Sequence, residues 1–281
     1  MNTSSTTTAQ RFAITCLLIL TVSGSSLQGA EGPGATGASY LTLPVSAKSI
    51  AMGEIGAALP EAPFSWTINP GALCNLDGTG AGVFHAEWIL DTRYNNAFLH
   101  YRFNPKFVIG IGTIFTYRPE IQGYDELGIE TESLKANNYQ ILAGLGVSPV
   151  PSLTLGANVK IFNEKLGDCS AGGTAFDLGA FYKVQNPDVS LGVSVRNIGG
   201  DISFEEIDEP LPLTVNFGMS YLVSPDIGNS TMLLAFDLIK PRYDGLYLAG
   251  GIELTVHEMI AFRVGYNDNE DRPGNGLTAG G

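Results

Sequence analysis

Cysteine is almost missing from this chain: of 281 residues only three, Cys16, Cys74 and Cys169, carry a thiol. No C-x-x-C pair occurs and the three histidines, His85, His100 and His257, are scattered. The sequence therefore offers neither metal-ligand spacing nor a disulfide framework. Charge is scarce too, at 15% Asp, Glu, Lys and Arg against about 25% in an ordinary soluble domain. What charge exists is acidic, with 15 basic against 28 acidic side chains and a net charge of −13. That balance excludes the basic face on which nucleic acid binds. No histidine sits in a recognisable motif beside a nucleophile and an orienting group, so hydrolytic catalysis has no support. The chain reads as a non-enzyme without cofactor or metal. A long helical period is also lacking, and no break in composition divides the chain, so one domain is expected.

What the sequence has in abundance is alternation. In Leu153–Phe162, Leu153, Leu155, Ala157, Val159 and Ile161 share one face, while Thr154, Gly156, Asn158 and Lys160 share the other. The same rhythm returns in Leu191, Val193 and Val195, in Val215, Phe217, Met219 and Tyr221, in Leu248, Ile252, Leu254 and Val256, and in Ile260, Phe262, Val264 and Tyr266. Strands are expected at 82–88, 94–103, 107–117, 136–147, 152–162, 174–184, 189–197, 211–222, 231–239, 246–256 and 258–266. Such segments of about 10 residues, separated by turn residues, are the signature of an antiparallel membrane β-barrel. Their connections alternate in length. Asn104-Pro105, 148–151, 185–188 and the passage at His257 are short, whereas 118–135, 163–173, 198–210 and 267–275 are longer and polar. Short turns on one rim and long loops on the other fit an outer-membrane barrel. The connections 224–230 and 240–245 fit this sorting less well.

Before the strands come two segments of different character. Arg11, the apolar run Phe12 to Val22, small residues Ser23 to Ser26 and then Ala30 follow the order of a secretory leader. The run is too short to cross a bilayer, for which about 20 apolar residues are needed. The expected division is a leader over 1–30, an irregular plug or clasp over 31–78 broken by Pro44, Pro60, Pro63 and Pro70, and a barrel over 79–281. An exported chain without a spanning helix is periplasmic, secreted, or a barrel in the outer membrane, and a periplasmic ligand-binding β-protein is an alternative to the barrel. Removal of the leader leaves Cys74 in the pre-barrel segment and Cys169 in a loop, which could pair or stay apart. Acidic clusters at Glu120, Asp125, Glu126, Glu130 and Glu132, and at Asp201, Glu205, Glu206, Asp208 and Glu209, read as solvated loops or as a surface for cations or basic partners.

Six charges fall mid-strand on the polar faces: Lys160, Arg196 and Arg263, with Asp177, Asp237 and Glu253. A Lys or Arg facing hydrocarbon at the midplane of a barrel costs about 2–4 kcal/mol, so these six are expected to point inward. There they form a salt-bridge lattice or a selectivity filter. Glycines 110, 112, 144, 146, 156, 179, 192, 218, 250 and 251 suit an interior approached closely by another segment, for which Tyr40 to Leu76 is the candidate.

The text ASYLTLPVSAKSIAMGEIGAAL, followed by FSWTINPGALCNL, resembles the opening of the PorV/PorQ (UPF0164) proteins, outer-membrane barrels related to the FadL fatty-acid porins. The resemblance continues through FDLGAFY at Phe176, VRNIGG at Val195, LPLTVNFGMSY, FRVGYNDNE and GLTAGG. Departures are Ser46 where glycine is usual, Lys48 where arginine is, Glu54 where a second glycine is, and Gly71-Ala72 in inverted order. The resemblance implies a FadL-like barrel of about 14 strands with an N-terminal plug. GLTAGG then looks like the start of a strand followed by about two more, so a C-terminally truncated chain is expected.

Two functions follow from that resemblance. PorV-like members act in type IX secretion and hold C-terminal domains of cargo at the cell surface, which makes secretion machinery and cargo the partners. FadL-like members take up hydrophobic molecules such as long-chain fatty acids passively. On the second reading Leu41, Val45, Ile50, Met52, Phe64 and Trp66 either line a ligand path or anchor the plug to the wall. The box Trp66, Asn69, Pro70 and Leu73 reads as structural, because Asn-Pro is a turn former. Outer-membrane lipid is the remaining expected partner.

Overall fold

The computed structural model describes residues 35–60, 63–88, 91–185, 188–204, 207–224, 229–270 and 275–281; the leader expected over 1–30 lies outside them. Strands dominate: β1 (Thr79–Glu87), β2 (Arg93–Asn104), β3 (Phe107–Ile121), β4 (Leu134–Val150), β5 (Leu153–Leu166), β6 (Cys169–Gln185) and β7 (Asp188–Ile198) follow in order. A small hairpin, β8 (Ile202–Phe204) with β9 (Ile207–Glu209), interrupts the series. Then come β10 (Thr214–Val223), β11 (Ser230–Pro241), β12 (Tyr247–Val256), β13 (Ile260–Asn267) and β14 (Leu277–Gly280). Apart from the β8–β9 pair, all twelve strands form one antiparallel sheet in sequence order. Among the described residues β1 and β14 are not paired with each other.

Local chemistry accounts for the hairpins. Pro105-Lys106 and Pro151-Ser152 interrupt the ladder where a proline cannot donate, so strands turn there. At His257 and Glu258 two successive residues take positive φ, 53° and 57°, which folds β12 back onto β13. The loop expected over 163–173 is absent. Instead β5 and β6 run on as paired strands from Asn163↔Gly172 to Leu166↔Cys169 and close on Gly167-Asp168. Gly167 has φ of +62°, which glycine adopts without steric cost in a tight hairpin. Cys169 is consequently the first residue of β6 rather than part of a loop, and no disulfide joins it to Cys74.

Connections of two residues, at 105–106 and 151–152, lie on one rim of the sheet. The rim at the other end carries the β3–β4 connection and the long passage from β7 to β10 that includes the β8–β9 hairpin. These are called the turn rim and the loop rim below.

The side-chain pattern is inverted relative to a soluble protein. Val264 is 58% exposed and Ile161 58%, while Lys160 on the neighbouring face is 2% exposed. Outward residues of β3 to β5, among them Ile109, Ile111, Leu145 and Leu155, form a continuous exposed apolar surface. Water does not tolerate such a surface: patches above a few hundred Å² mark contact with another apolar phase.

The opposite face of the sheet wraps the segment that precedes it. This segment holds a 3-10 turn at Ser39–Thr42, helix α1 (Ala47–Ala51), and 3-10 turns at Ser65–Thr67 and Pro70–Asn75. Ala51 packs at Gly280 of β14 and Phe64 at Gly82 of β1, the two outermost strands. Twelve strands laid flat at about 4.8 Å spacing would put those edges about 50 Å apart. Thirteen residues cannot reach that far even when fully extended, at roughly 3.3–3.6 Å each. The sheet must therefore be strongly curled around the segment.

Candidate functional site

The inner face was expected to be polar throughout. It is mixed, because apolar side chains of the N-terminal segment need apolar partners on the wall. Val45, Trp66, Leu73, Cys74 and Leu76 pack with Tyr94, Phe98, Val108, Ile114 and Leu142. Tyr40 and Leu41 pack with Phe162, Ala171, Ala175, Ile202 and Leu211. Met52, Ile55 and Leu59 pack with Leu233, Ala235, Ile239 and Ala249. Three separate anchors thus hold the segment at different points around the sheet.

Between these anchors glycines pair across strands: Gly110↔Gly144, Gly146↔Gly156↔Gly179, Gly192↔Gly218 and Gly251↔Gly265. At Gly110 and Gly144 the absent side chains make room for the Trp66 ring, and at Gly156, Gly192 and Gly265 backbone lies on backbone. A Cβ at Gly192 would overlap the Ala57 carbonyl, and one at Gly156 the Pro70 carbonyl. Gly250, expected among them, faces outward instead; its nearest neighbours there are 3.4 Å away on β11, and Gly251 takes the inward position.

The tryptophan box is the central fastening. Asn69 is fully buried; its Oδ1 accepts from the Gly71 N–H at 3.0 Å, and Pro70 follows as the first residue of the 3-10 turn. Its Nδ2 donates to the Ala57 carbonyl at 2.6 Å and to the Ala180 carbonyl of β6 at 3.0 Å. Trp66 stands edge-on to Phe98, with centroids 5.5 Å apart. Leu73 is fully buried in the same cluster.

The six inward charges do not form one lattice. Lys160 and Asp177 make a buried pair at 2.8 Å. Both also bind Asn197, which stands at a β-bulge with φ of 59°: Lys160 donates to its Oδ1, and its backbone N–H donates to Asp177. Asn158 links the cluster to the segment by donating to Asp177 and to the Trp66 carbonyl. Glu253 accepts from Arg263 and, at 2.7 Å, from Lys48 of α1. Asp237 has no ion pair among the described residues; it accepts the Gly56 and Ala57 N–H groups at 2.8 and 2.9 Å. Arg196 has none either, and its Nε lacks an acceptor. Sequence reasoning missed Lys48 and Asn197. The basic residue kept at the position where the resembling family has arginine, and the asparagine of VRNIGG, were the available signals.

Among the described residues two cavities open toward the loop rim, with the 3-10 turn Ser39–Thr42 and Leu43 bordering both. The larger, of about 800 Å³, lies between Leu43, Pro44 and Glu54 and the ends of β7, β10, β11 and β12, where Arg196, Thr214 and Tyr247 face it. The smaller, of about 420 Å³, is bounded by Thr116, Arg118, Asn138 and Glu164 of β3 to β5. Trp88 borders both. Tyr40 fixes the 3-10 turn, its hydroxyl donating to the carbonyls of Tyr139 and Asn163. Of Leu41, Val45, Ile50, Met52, Phe64 and Trp66, none lines either cavity; all but Ile50 belong to or pack on the anchoring clusters.

No protein-family model matches the sequence, and no curated protein matches it either. Solved structures do match. The toluene transporter TbuX of Ralstonia pickettii is similar at 14% identity and a TM-score of 0.54, over 80% of this chain and 86% of that one. The toluene transporter TodX of Pseudomonas putida is similar at 13% identity and a TM-score of 0.53, over 86% and 85%. A deltaS2S3 mutant of TodX, a monoaromatic hydrocarbon channel, reaches a TM-score of 0.55 at 12% identity over 80% and 82%. At such identities the likeness is one of fold: an antiparallel, FadL-like barrel architecture. Nothing in it singles out the PorV/PorQ branch.

Proposed function

We propose that this chain is an outer-membrane barrel that lets small hydrophobic molecules pass from the outside toward the periplasm. The carrying observation is the cavity of about 800 Å³ at the loop rim, between the segment and the wall. Its size lies in the range of small-molecule sites. The exposed apolar outer face supports insertion in lipid. The fold shared with the toluene transporters TbuX and TodX supports passage of a small organic molecule rather than a protein. No observation favours the type IX secretion role.

On this reading residues 1–30 are a cleaved leader and 31–78 a plug. The apolar side chains Leu41, Val45, Met52, Phe64 and Trp66 anchor that plug. Lys160, Asp177, Glu253, Arg263 and Asp237 tie it and the Asn197 bulge to the wall. Passage requires the plug to yield locally beside the two loop-rim cavities.

Cells carrying the chain in their outer membrane should take up radiolabelled toluene or decane faster than cells with an empty vector. Equal uptake, with the folded protein demonstrably in the outer-membrane fraction, would refute the proposal.

A further inference from the structure

Arg196 presents a problem of charge. Its side chain sits inside the curl, with the residue only 8% exposed, just before the bulge at Asn197. Among the described residues it makes no ion pair and no hydrogen bond, and Nε has no acceptor. Leaving a buried cation without a partner costs several kcal/mol, so buried charges are normally paired. The charges inside the curl supply no direct partner. Lys160 has the same sign and is already bound to Asp177, while Asp237, which attracts Arg196 at longer range, has its carboxylate engaged by two backbone N–H groups and makes no ion pair with it. Arg196 does, however, line the larger loop-rim cavity.

The rest of that cavity combines aromatic and proline walls with polar side chains such as Thr42, Thr214 and Asn269. Trp88, Tyr243, Tyr247, Pro44, Pro212 and Pro241 contribute its apolar surface, and Leu43 is the one open-chain aliphatic side chain among the described lining residues. Arg242, a second cation on the cavity, lies over the Tyr243 ring at 5.4 Å from the centroid and is less buried than Arg196. Such walls suit a planar ring. An acyl chain would find Leu43 as its one open-chain aliphatic side-chain contact there. Glu54, Glu87 and Asp244 border the larger cavity as well. Their charges repel a polyanion but are compatible with a single carboxylate held at the guanidinium. A guanidinium offers two parallel donors to such a group.

We propose that the loop-rim cavity binds a compact aromatic monocarboxylate, with its carboxylate on Arg196 and its ring between the aromatic and proline walls. This deepens the uptake reading and rests on it, because it assigns the substrate class of the same cavity: an aromatic acid rather than a neutral hydrocarbon.

The test is a titration of the full chain, folded in detergent micelles, followed by tryptophan emission. The chain has two tryptophans: Trp88 borders the cavity and Trp66 is buried in the plug, and a Trp88→Phe variant assigns the signal. The probes are benzoate, its neutral isostere benzamide, toluene and octanoate. Benzoate should quench saturably and bind about tenfold to a hundredfold more tightly than benzamide, the difference a charge-assisted hydrogen bond makes. Octanoate and toluene should bind more weakly than benzoate. Arg196→Gln should remove the preference for benzoate over benzamide. The comparison of benzoate with benzamide needs only the unmodified chain, so it decides the matter even where the variant fails to fold. Benzamide, toluene or octanoate binding as tightly as benzoate overturns the aromatic-acid assignment while leaving hydrophobic uptake standing. No saturable binding by any of the four overturns both.

Discussion

Asn69→Asp is the most informative single change, because it keeps the shape of the side chain and removes only its two donors. Asn69 is fully buried, and Nδ2 is the group that satisfies the carbonyls of Ala57 and Ala180. Aspartate still accepts from the Gly71 N–H, so the 3-10 turn keeps its cap. The two carbonyls, in contrast, then face a carboxylate oxygen. Each buried group left unsatisfied costs about 1–3 kcal/mol, together about 2–6 kcal/mol taken from docking of the segment. At the lower bound the undocked population rises roughly 30-fold, since every 1.4 kcal/mol is a factor of ten. Cys74, five residues on, reports it. The residue is 6% exposed, and burial pushes its thiol up to about 11, so at pH 8 the docked thiol is protonated and unreactive. The sign is clear: undocking lowers that value toward the ordinary thiol range and exposes the sulfur, so both effects speed alkylation. In a Cys169→Ser background, maleimide labelling of Cys74 should be at least about 30-fold faster in Asn69→Asp than in its parent. Equal labelling rates would refute the assignment of Asn69 as the fastening.

Two further changes probe the wall. Gly192→Ala should likewise speed Cys74 labelling, because its Cβ would overlap the Ala57 carbonyl, whereas Gly250→Ala on the outer face, with its nearest neighbours 3.4 Å away, should not. Similar behaviour of the two variants would remove the close-approach explanation of the glycine pairs. Lys160→Met leaves Asp177 buried without its cation and should cost about 3–5 kcal/mol in denaturant unfolding. In an Asp177→Asn background the same substitution should cost much less, so additive effects would contradict a paired role.

Legibility followed periodicity. β5, β10 and β13 could be read to within a few residues because each alternates between outward apolar and inward polar side chains. The hairpin of β5 and β6 beyond Asn163 could not. There the strands leave the apolar band, and Asn163, Glu164, Lys165 and Gly167-Asp168 carry the composition of a loop although backbone pairing continues. The inner wall was misjudged for a related reason. Val108, Ile114 and Leu142 are apolar because Trp66 and Leu73 lie against them, and that contact joins residues far apart in sequence. The charges were legible as inward-facing through the cost of placing them in lipid, but their partners were not. Backbone N–H groups of Gly56 and Ala57 serve Asp237, and a helix residue, Lys48, serves Glu253. The cavity has no sequence signature at all, since its lining is gathered from the N-terminal segment and the ends of several strands.

The central claim is that the exposed apolar face of the sheet meets lipid while the polar face is turned inward. Nitroxide labels placed singly at Ile111, Leu178 and Val264, which are 54%, 54% and 58% exposed, test it most directly in bilayers of the reconstituted chain. The account predicts that dissolved oxygen, which concentrates in the acyl region, relaxes all three labels strongly while a water-soluble nickel chelate scarcely reaches them. Free collision of the nickel chelate with those labels, at a rate matching a label on the exposed β3–β4 loop at Leu127, would contradict it.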